Sequence, residues 1–532
     1  MKSQNVKTYV VNVLISFVAC VLIILMGLWA ESHTYGMEGD EMFSFISSTS
    51  LGGFKGIGMS LEDQTWYDSD YFHEALIATG SERFNMPMVW ENQAMDVHPP
   101  LFYVLLNIVC SIFTGTYSRW LGVGLNIGLN CILCLSLALL IRYLLKAARL
   151  VSDEYVYIVS IIIAAIFCCS KVAIGQVLFI RMYVLMMIFA TLSAWWHIKS
   201  FDDEPAKKDY VLLALITIGG GLTHYYYLVL VALFAFFFVI GEWFAKRKKA
   251  VVSYIVTMIL SAALDILIYP AMISHMFIKY RGRDAVHKFL KESSLFGDFI
   301  DMVKSYSAKQ FLGGFVVCIL VVLAIEIMLI HALIKHKISR ISFIKAIVVE
   351  SICTIYFYGI AKASPFVTVR YVSAVTPLMF AMIFIAIIWL VDRNFNLNMK
   401  WTTPIICLLS FVLCFGFSKE NYKADYFKIR DEVVANIGKE VDSCVYITAS
   451  ETNWEMWEDY ENYSNFDRLF FIEGLELNPI NDDDLKSEES LCVFINNKLN
   501  YDEVIDYLKE YLSFENYDLE YQSAYTYIVR AI

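Results

Sequence analysis

Charge is what this sequence has least of. Asp, Glu, Lys and Arg make up 18% of its 532 residues, against about 25% in an ordinary soluble protein. The apolar share is 58%, above the roughly 45–50% of such a protein. Together these exclude a chain that is soluble throughout. The strict apolar/polar alternation of a membrane β-barrel is also missing. Apolar residues come instead in runs of about 20, long enough to cross a hydrocarbon core as helix. No spacing of Cys or His matches a metal site. Most of the 12 cysteines fall inside the apolar runs, where a thiol behaves as a small apolar group. Only Cys444 and Cys492 lie in soluble sequence, and a disulfide between them stays open. No small-residue cleavage site follows the first run, which reads as a retained anchor.

What is present is a polytopic all-α membrane protein. Apolar runs are drawn at 8–30, 121–145, 155–170, 177–198, 209–224, 225–244, 251–273, 311–334, 342–363, 371–391 and 401–418, with a further run at 99–115. The positive-inside rule settles the last. Basic clusters at Arg142/Lys146/Arg149, Lys199/Lys207/Lys208, Lys246 to Lys249, Lys335/Lys337/Arg340 and Arg393/Lys400 share one side only if 99–115 does not cross. That segment is therefore expected to be a shallow or re-entrant helix begun by Pro99-Pro100, since proline suits a first helical turn. The expected topology has about 11 crossings, a cytoplasmic N-terminus, a first outer loop at 31–120 and an outer C-terminal domain. A transmembrane domain at 1–418 and a soluble domain at 419–532 follow.

The tail differs in kind. After Ser418 it holds 26 acids and 10 bases, whereas the whole chain carries a net charge of −11. Runs at 441–448, 491–495 and 525–529 read as strands and 502–511 as a helix, giving a small α/β domain. Asp482-Asp483-Asp484 lacks the spaced ligands and glycine of a calcium loop, and reads as a solvated acidic turn.

Cations on the outer side need a reason, because they oppose the topogenic rule. Lys279, Arg281 and Arg283 sit in the loop 274–310. Arg181 and Arg370 lie at outer ends of spans. Two readings stand for the loop cations: contact with anionic lipid headgroups, or a binding surface for phosphate, to which arginine is suited by its bidentate fork. Acids occur on the same side. Asp40-Glu41 follows the first span and either caps a helix or does chemistry. Asp96-Val97-His98-Pro99-Pro100 closes the loop, with Asp96 as acceptor contact, metal ligand or helix cap. His98 is a ligand or a structural hydrogen-bonder. Thr223-His224 and Arg181-Met182-Tyr183 and Arg370-Tyr371 complete the set. Tyr183 and Tyr371 also fit an interfacial aromatic belt.

Asp-Glu after the first span, then His-Pro-Pro-Leu-Phe-Tyr, Arg-Met-Tyr, Thr-His-Tyr-Tyr and Arg-Tyr before a late span resembles the GT-C glycosyltransferases. The likeness covers about residues 8–390 and is strongest to the protein O-mannosyltransferase and lipid A aminoarabinose transferase branch, glycosyltransferase family 39-like. It implies a GT-C fold of 11 to 13 spans with juxtamembrane helices, and a polyprenyl-phosphate-linked sugar as donor. It implies Asp40 as the base that deprotonates an acceptor hydroxyl, with Glu41 and Asp96 beside it. Arg181 and Arg370, with Arg281, Arg283 and Lys279 in reserve, then meet the donor phosphate, while His98, His224, Tyr183 and Tyr371 position substrate. No cofactor is required by this reading; a divalent cation, Mg or Mn, held by Asp96 and His98 stays open. The acceptor is an envelope glycan, lipid or protein, and no nucleic acid is expected. The tail has no Trp-Trp-Asp motif and no repeat domain follows Ile273, which implies a simpler, bacterial-type enzyme moving one sugar. A flippase for a lipid-linked glycan is the competing class, but transporters commonly carry internal repeats, and none is found here.

Overall fold

The structure, a computed structural model, describes residues 2–57, 61–148, 155–290, 340–364, 368–395, 425–449, 455–474, 476–523 and 525–532, with isolated residues at 150–153 and 297–335. The helices run α1 (Lys2–Glu31), α2 (Gly39–Thr49), α3 (Gly53–Ile57), α4 (Ser69–Glu74), α5 (Met86–Met95), α6 (Leu101–Ile112), α7 (Arg119–Ala148) and α8 (Val156–Cys168). They continue as α9 (Lys171–Leu178), α10 (Tyr183–Asp202), α11 (Lys207–Gly221), α12 (Tyr225–Phe244), α13 (Lys248–Ile268), α14 (Ala271–Phe277) and α15 (Tyr280–Leu290). Two late helices span Arg340–Ala363 and Thr376–Phe395. The chain divides into two compact units.

The first unit comprises Met1–Ser32, Val97–Phe102 and Val123–Glu420. Among the described residues, five helices are long and apolar enough to cross a membrane: Tyr9–Glu31, Arg119–Ala147, α10, α12 and α13. The bent pair α8–α9 makes a sixth if it forms one span. The chain is a multi-pass membrane protein. The expected span at 401–418 and most of that at 311–334 lie outside the described residues. Helix α6 has 12 residues, about 18 Å at 1.5 Å per residue, too short for a core of about 30 Å.

Two expectations are corrected. The sequence pattern divides 155–198 into two spans joined by an outer turn, but 171–178 is a helix of its own, turned 58° from α8. Ser170 starts it by accepting the Ala173 N–H. The carbonyls exposed at this break are taken by α7: Asn126 Nδ2 donates to Val177 O at 3.1 Å and Phe179 O at 3.0 Å, and Asn130 Nδ2 to Cys168 O at 2.9 Å. Orphan carbonyls at helix ends in lipid require such partners. The second correction concerns the loop 274–310. Pro270, which cannot continue a helix, ends the α13 segment, and α14 and the basic helix α15 follow instead of open loop.

Glycine sets one close approach here. A Cβ on Gly220 would lie 2.1 Å from a Tyr227 ring carbon, so only glycine lets the first turn of α12 close onto the end of α11. His224 sits in that turn.

The second unit comprises His33–Asp96, Tyr103–Gly122 and Asn421–Ile532. Its centre is a six-stranded sheet in the order β1-β3-β2-β4-β6-β5. The strands are β1 (Thr65–Asp68), β2 (Ser443–Thr448), β3 (Arg468–Glu473), β4 (Leu491–Asn496), β5 (Tyr517–Gln522) and β6 (Thr526–Ala531). Strands β3, β2 and β4 are mutually parallel, and β2 and β4 are buried along their whole length, as strands covered on both faces must be. Cys444 and Cys492 are register partners on β2 and β4, and both thiols are free.

One edge strand comes from the first loop. Thr65–Asp68 pairs antiparallel with 468–471, and Trp66 packs edge-on against Phe470 with ring centroids 5.0 Å apart. Trp66 Nε1 donates to Asp482, which assigns that acid a docking role within the acidic turn. The Arg468 guanidinium lies over the indole, 4.0 Å from its centroid.

Candidate active site

In the first unit the chemistry expected of separate motifs is assembled by helix ends. Arg181 lies in the turn between α9 and α10 and is 5% exposed. Its Nη2 donates to His98 Nε2 at 3.4 Å. The His98 backbone is itself fixed, because its carbonyl accepts from Tyr269 Oη at 3.3 Å and Leu101 N donates to Leu222 O at 3.0 Å. His224 caps α12, its Nδ1 accepting the Tyr226 N–H at 3.0 Å. That bond leaves Nε2 to carry the proton of the neutral ring. Arg181 and His98 both act on it electrostatically.

Aromatic rings continue the cluster. Tyr183, the first residue of α10, is buried with its ring 5.7 Å from that of His224 and stacked 6.1 Å from Phe179. Tyr226 lies 5.0 Å from His224 and meets Tyr371 edge-on at 5.6 Å. The Arg370 guanidinium lies 5.0 Å from the Phe179 centroid and 5.6 Å from that of Tyr371. Arg281 of α15 acts electrostatically on Tyr226. Seven residues singled out in the sequence therefore converge: His98, Arg181, Tyr183, His224, Arg281, Arg370 and Tyr371. Arg283 is exposed on α15, and Lys279 is half-buried in the turn before it. Sequence reasoning missed Phe179, Tyr226 and Tyr269, which carry no charge to betray them.

The second unit holds the acids. Helix α2 begins Gly39-Asp40-Glu41, and the adjacent carboxylates have different surroundings. Glu41 is fully buried; its Oε2 accepts the Glu38 N–H at 2.9 Å in a capping box, and its Oε1 lies 3.7 Å from Arg119 Nη2. Asp40 is half-buried in the same first turn, its carbonyl accepting from Ser44 Oγ at 3.1 Å. Asp96 sits at the C-terminal end of α5, where Asp96 N donates to Asn92 O at 3.1 Å. The alternative of a cap at the start of the next helix is thus replaced by a C-cap. A carboxylate gains nothing from the helix dipole there, which favours cations.

The end of the first loop, together with parts of the tail, seats the start of α2. Arg119 Nη1 donates to Gly36 O, and Tyr117 Oη donates to Met37 Sδ at 2.8 Å while meeting Tyr460 edge-on at 5.4 Å. Gly36 has φ +58°, and a Cβ there would lie 2.6 Å from the Phe427 ring. Gly36→Ala should therefore cost about 2–4 kcal/mol from the left-handed backbone and the ring clash; thermal unfolding of the purified protein measures it, and an unchanged midpoint contradicts the contact. Glu461 is another acid of this region. Burial first and then the Asp431 charge push its carboxyl up, against the pull of Arg119 and Arg430, with Glu41 adding a further push. Arg119 escaped the sequence reading, although a cation at the end of an apolar span is the signal that found Arg181.

Among the described residues no three or more His, Cys, Asp or Glu side chains are grouped to hold a metal ion. Asp96 and His98 belong to different units.

No family model matches the sequence, and no curated relative matches it. The chain shares its fold, over nearly its whole length, with a solved protein. In particular it is similar to ArnT from Cupriavidus metallidurans bound to undecaprenyl phosphate, with TM-score 0.50 and 11% identity over 100% of this chain and 98% of that one. The apo state of that protein aligns over 99% and 98% of the two chains, with TM-score 0.48 and 12% identity. At such identity the likeness is one of fold.

Proposed function

We propose that the chain is a membrane glycosyltransferase that moves a single sugar from a polyprenyl-phosphate donor to an envelope glycan, lipid or protein on the outer face. The observation that carries this reading is the set of two buried or half-buried arginines, Arg181 and Arg370, held with two histidines and four aromatic rings at helix ends. Its fold is that of a protein solved with undecaprenyl phosphate.

Each role follows from the chemistry. The acceptor oxygen attacks the anomeric carbon and the bond from that carbon to the phosphate oxygen breaks. The acceptor proton goes to the Asp40 carboxylate as general base. The phosphate leaves as an anion, and Arg181, Arg370 and Arg281 stabilise the charge developing on it, with Lys279 and Arg283 in reserve. One displacement inverts the anomeric carbon. Glu41 holds the start of α2 and Asp96 contacts the acceptor. His98, His224, Tyr183 and Tyr371 shape the donor pocket. A divalent cation at Asp96 or His98 is an optional addition. The topology that suits this chemistry has about 11 crossings, a cytoplasmic N-terminus and an exocytoplasmic C-terminal domain, in a plasma or inner membrane.

Reconstituted protein given a labelled polyprenyl-phosphate sugar and envelope acceptors should pass label to the acceptor. Translocation of the lipid with no label transferred would make the chain a flippase and sink the reading.

A further inference from the structure

Helix α13 carries an acid one turn before its end that the transfer reading does not use. Apolar side chains such as Val252, Ile259 and Leu267 are exposed on this helix, whereas Tyr254, Ser261 and Asp265 are buried. At 3.6 residues per turn those three fall within about 40° of one another, so a polar stripe runs along the inward face. An acid inside such a helix is costly and marks a functional group. Asp265 is 2% exposed. Among the described residues no Lys, Arg or His side chain acts on its carboxyl electrostatically, and its Oδ1 accepts no hydrogen bond.

The surroundings of the carboxyl are built from three helices. α11 and α13 run parallel: Tyr210 Oη donates to Ala250 O at 3.4 Å near their starts, and Gly221 meets Asp265 near their ends. A Cβ on Gly221 would lie 2.5 Å from Asp265 Oδ2, in the space that the carboxyl takes. Thr217 and Ser261, each one turn earlier on the same faces, share the next layer. Thr217 is also buried, and its Oγ1 makes no hydrogen bond among the described residues. Tyr227 of α12 completes the group, its ring against Gly220 and its hydroxyl beside Thr217 and in the field of Asp265.

Most of the protons here are already committed. Tyr227 Oη donates to Ile216 O at 3.2 Å and Ser261 Oγ to Thr257 O at 2.8 Å. Both hydroxyls therefore have lone pairs, not protons, left for Asp265. Only Thr217 keeps a proton to offer, fewer donors than an ionised carboxylate can accept from. A carboxylate among oxygen lone pairs calls for positive charge, and ligands that are all oxygen suit a hard cation. One carboxylate balances one charge. A divalent ion would leave a positive charge uncompensated in apolar surroundings, which is strongly unfavourable.

We propose that Asp265, with Thr217, Tyr227 and Ser261, holds one alkali-metal cation between α11, α12 and α13. Such a site needs a single acid rather than a group of His, Cys, Asp and Glu side chains. The inference goes beyond the transfer reading and does not rest on it, because cation binding is measured without turnover.

Binding of radiolabelled sodium, and of radiolabelled rubidium in place of potassium, to the detergent-purified full chain tests it, with choline chloride holding the ionic strength constant. Wild type should bind at least one of the two saturably, at one ion per chain. Asp265→Asn should weaken that binding about tenfold or more and Thr217→Val about threefold or more, as loss of a charged and of a neutral contact implies. Thr217→Ser, which keeps the oxygen, should retain it. Thermal unfolding checks that Asp265→Asn folds; if it does not, the Val and Ser variants at Thr217 decide. Saturable binding of neither ion would leave the carboxyl to a proton and overturn the proposal. So would binding unchanged in a folded Asp265→Asn, or equal in the two Thr217 variants, or displacement of the label by micromolar calcium. Loss of sugar transfer with cation binding intact would count against the transfer reading alone.

Discussion

Asp40→Asn is expected to lower kcat for sugar transfer by about 10²–10⁴-fold, the contribution of a positioned general base, with little change in donor KM. The substitution keeps the size of the side chain and leaves the Ser44 bond to the Asp40 carbonyl in place. Its effect can therefore be assigned to the lost carboxylate. The neighbouring acid supplies the control. Glu41→Gln retains an oxygen for the Glu38 N–H but loses the charge facing Arg119. It should reduce stability more than it reduces turnover. A Glu41→Gln enzyme as inactive as Asp40→Asn, yet equally stable to heat, would transfer the base role to the buried residue.

Arg370→Gln is the second large effect, a loss of about 10²–10³-fold in kcat if the guanidinium stabilises the departing phosphate. Its setting explains why lysine should be a poor substitute. The planar group lies against Phe179 and Tyr371, where stacking and a two-pronged contact to phosphate are both available to arginine and neither to an ammonium. Arg370→Lys should therefore recover only part of the loss in single-turnover assays. Full recovery would show that a point charge is enough and that the rings do not orient it.

Much of the first unit was legible because membrane helices announce themselves. Runs of about 20 apolar residues mark α1, α7, α10, α12 and α13, and the distribution of positive charge marks α6 as a segment that does not cross. The cluster of Arg181, His98, His224 and Arg370 was legible for a related reason: charge at a lipid boundary is costly enough to stand out. Its aromatic members were not. Tyr226 and Phe179 look like any other residues of an apolar helix, and their place beside the arginines depends on packing between α9, α10, α12 and the turn at 369–375.

The second unit was harder. β2 and β4 were found because strands buried on both faces read as continuous apolar runs. β1 was not, since Thr65–Asp68 is a four-residue edge strand, half-exposed, whose partner lies about 400 residues away. Local pattern carries no trace of such a pairing. The same holds for Gly36, whose need for glycine comes from the Phe427 ring of the tail. The basic segment before Leu290 reads as loop from its charge, which masks the helical period of α15.

In the proposed reaction the arginine cluster of the first unit is the lipid-phosphate site. Binding of undecaprenyl phosphate to the purified chain, compared between wild type and the Arg181→Gln, Arg370→Gln double variant, tests it most directly. Saturable binding by wild type that weakens at least about 100-fold in the variant is the predicted result, since each lost bond to a charged group is worth about 1.5–3 kcal/mol. Binding of equal strength in both proteins, or none in wild type, would contradict it.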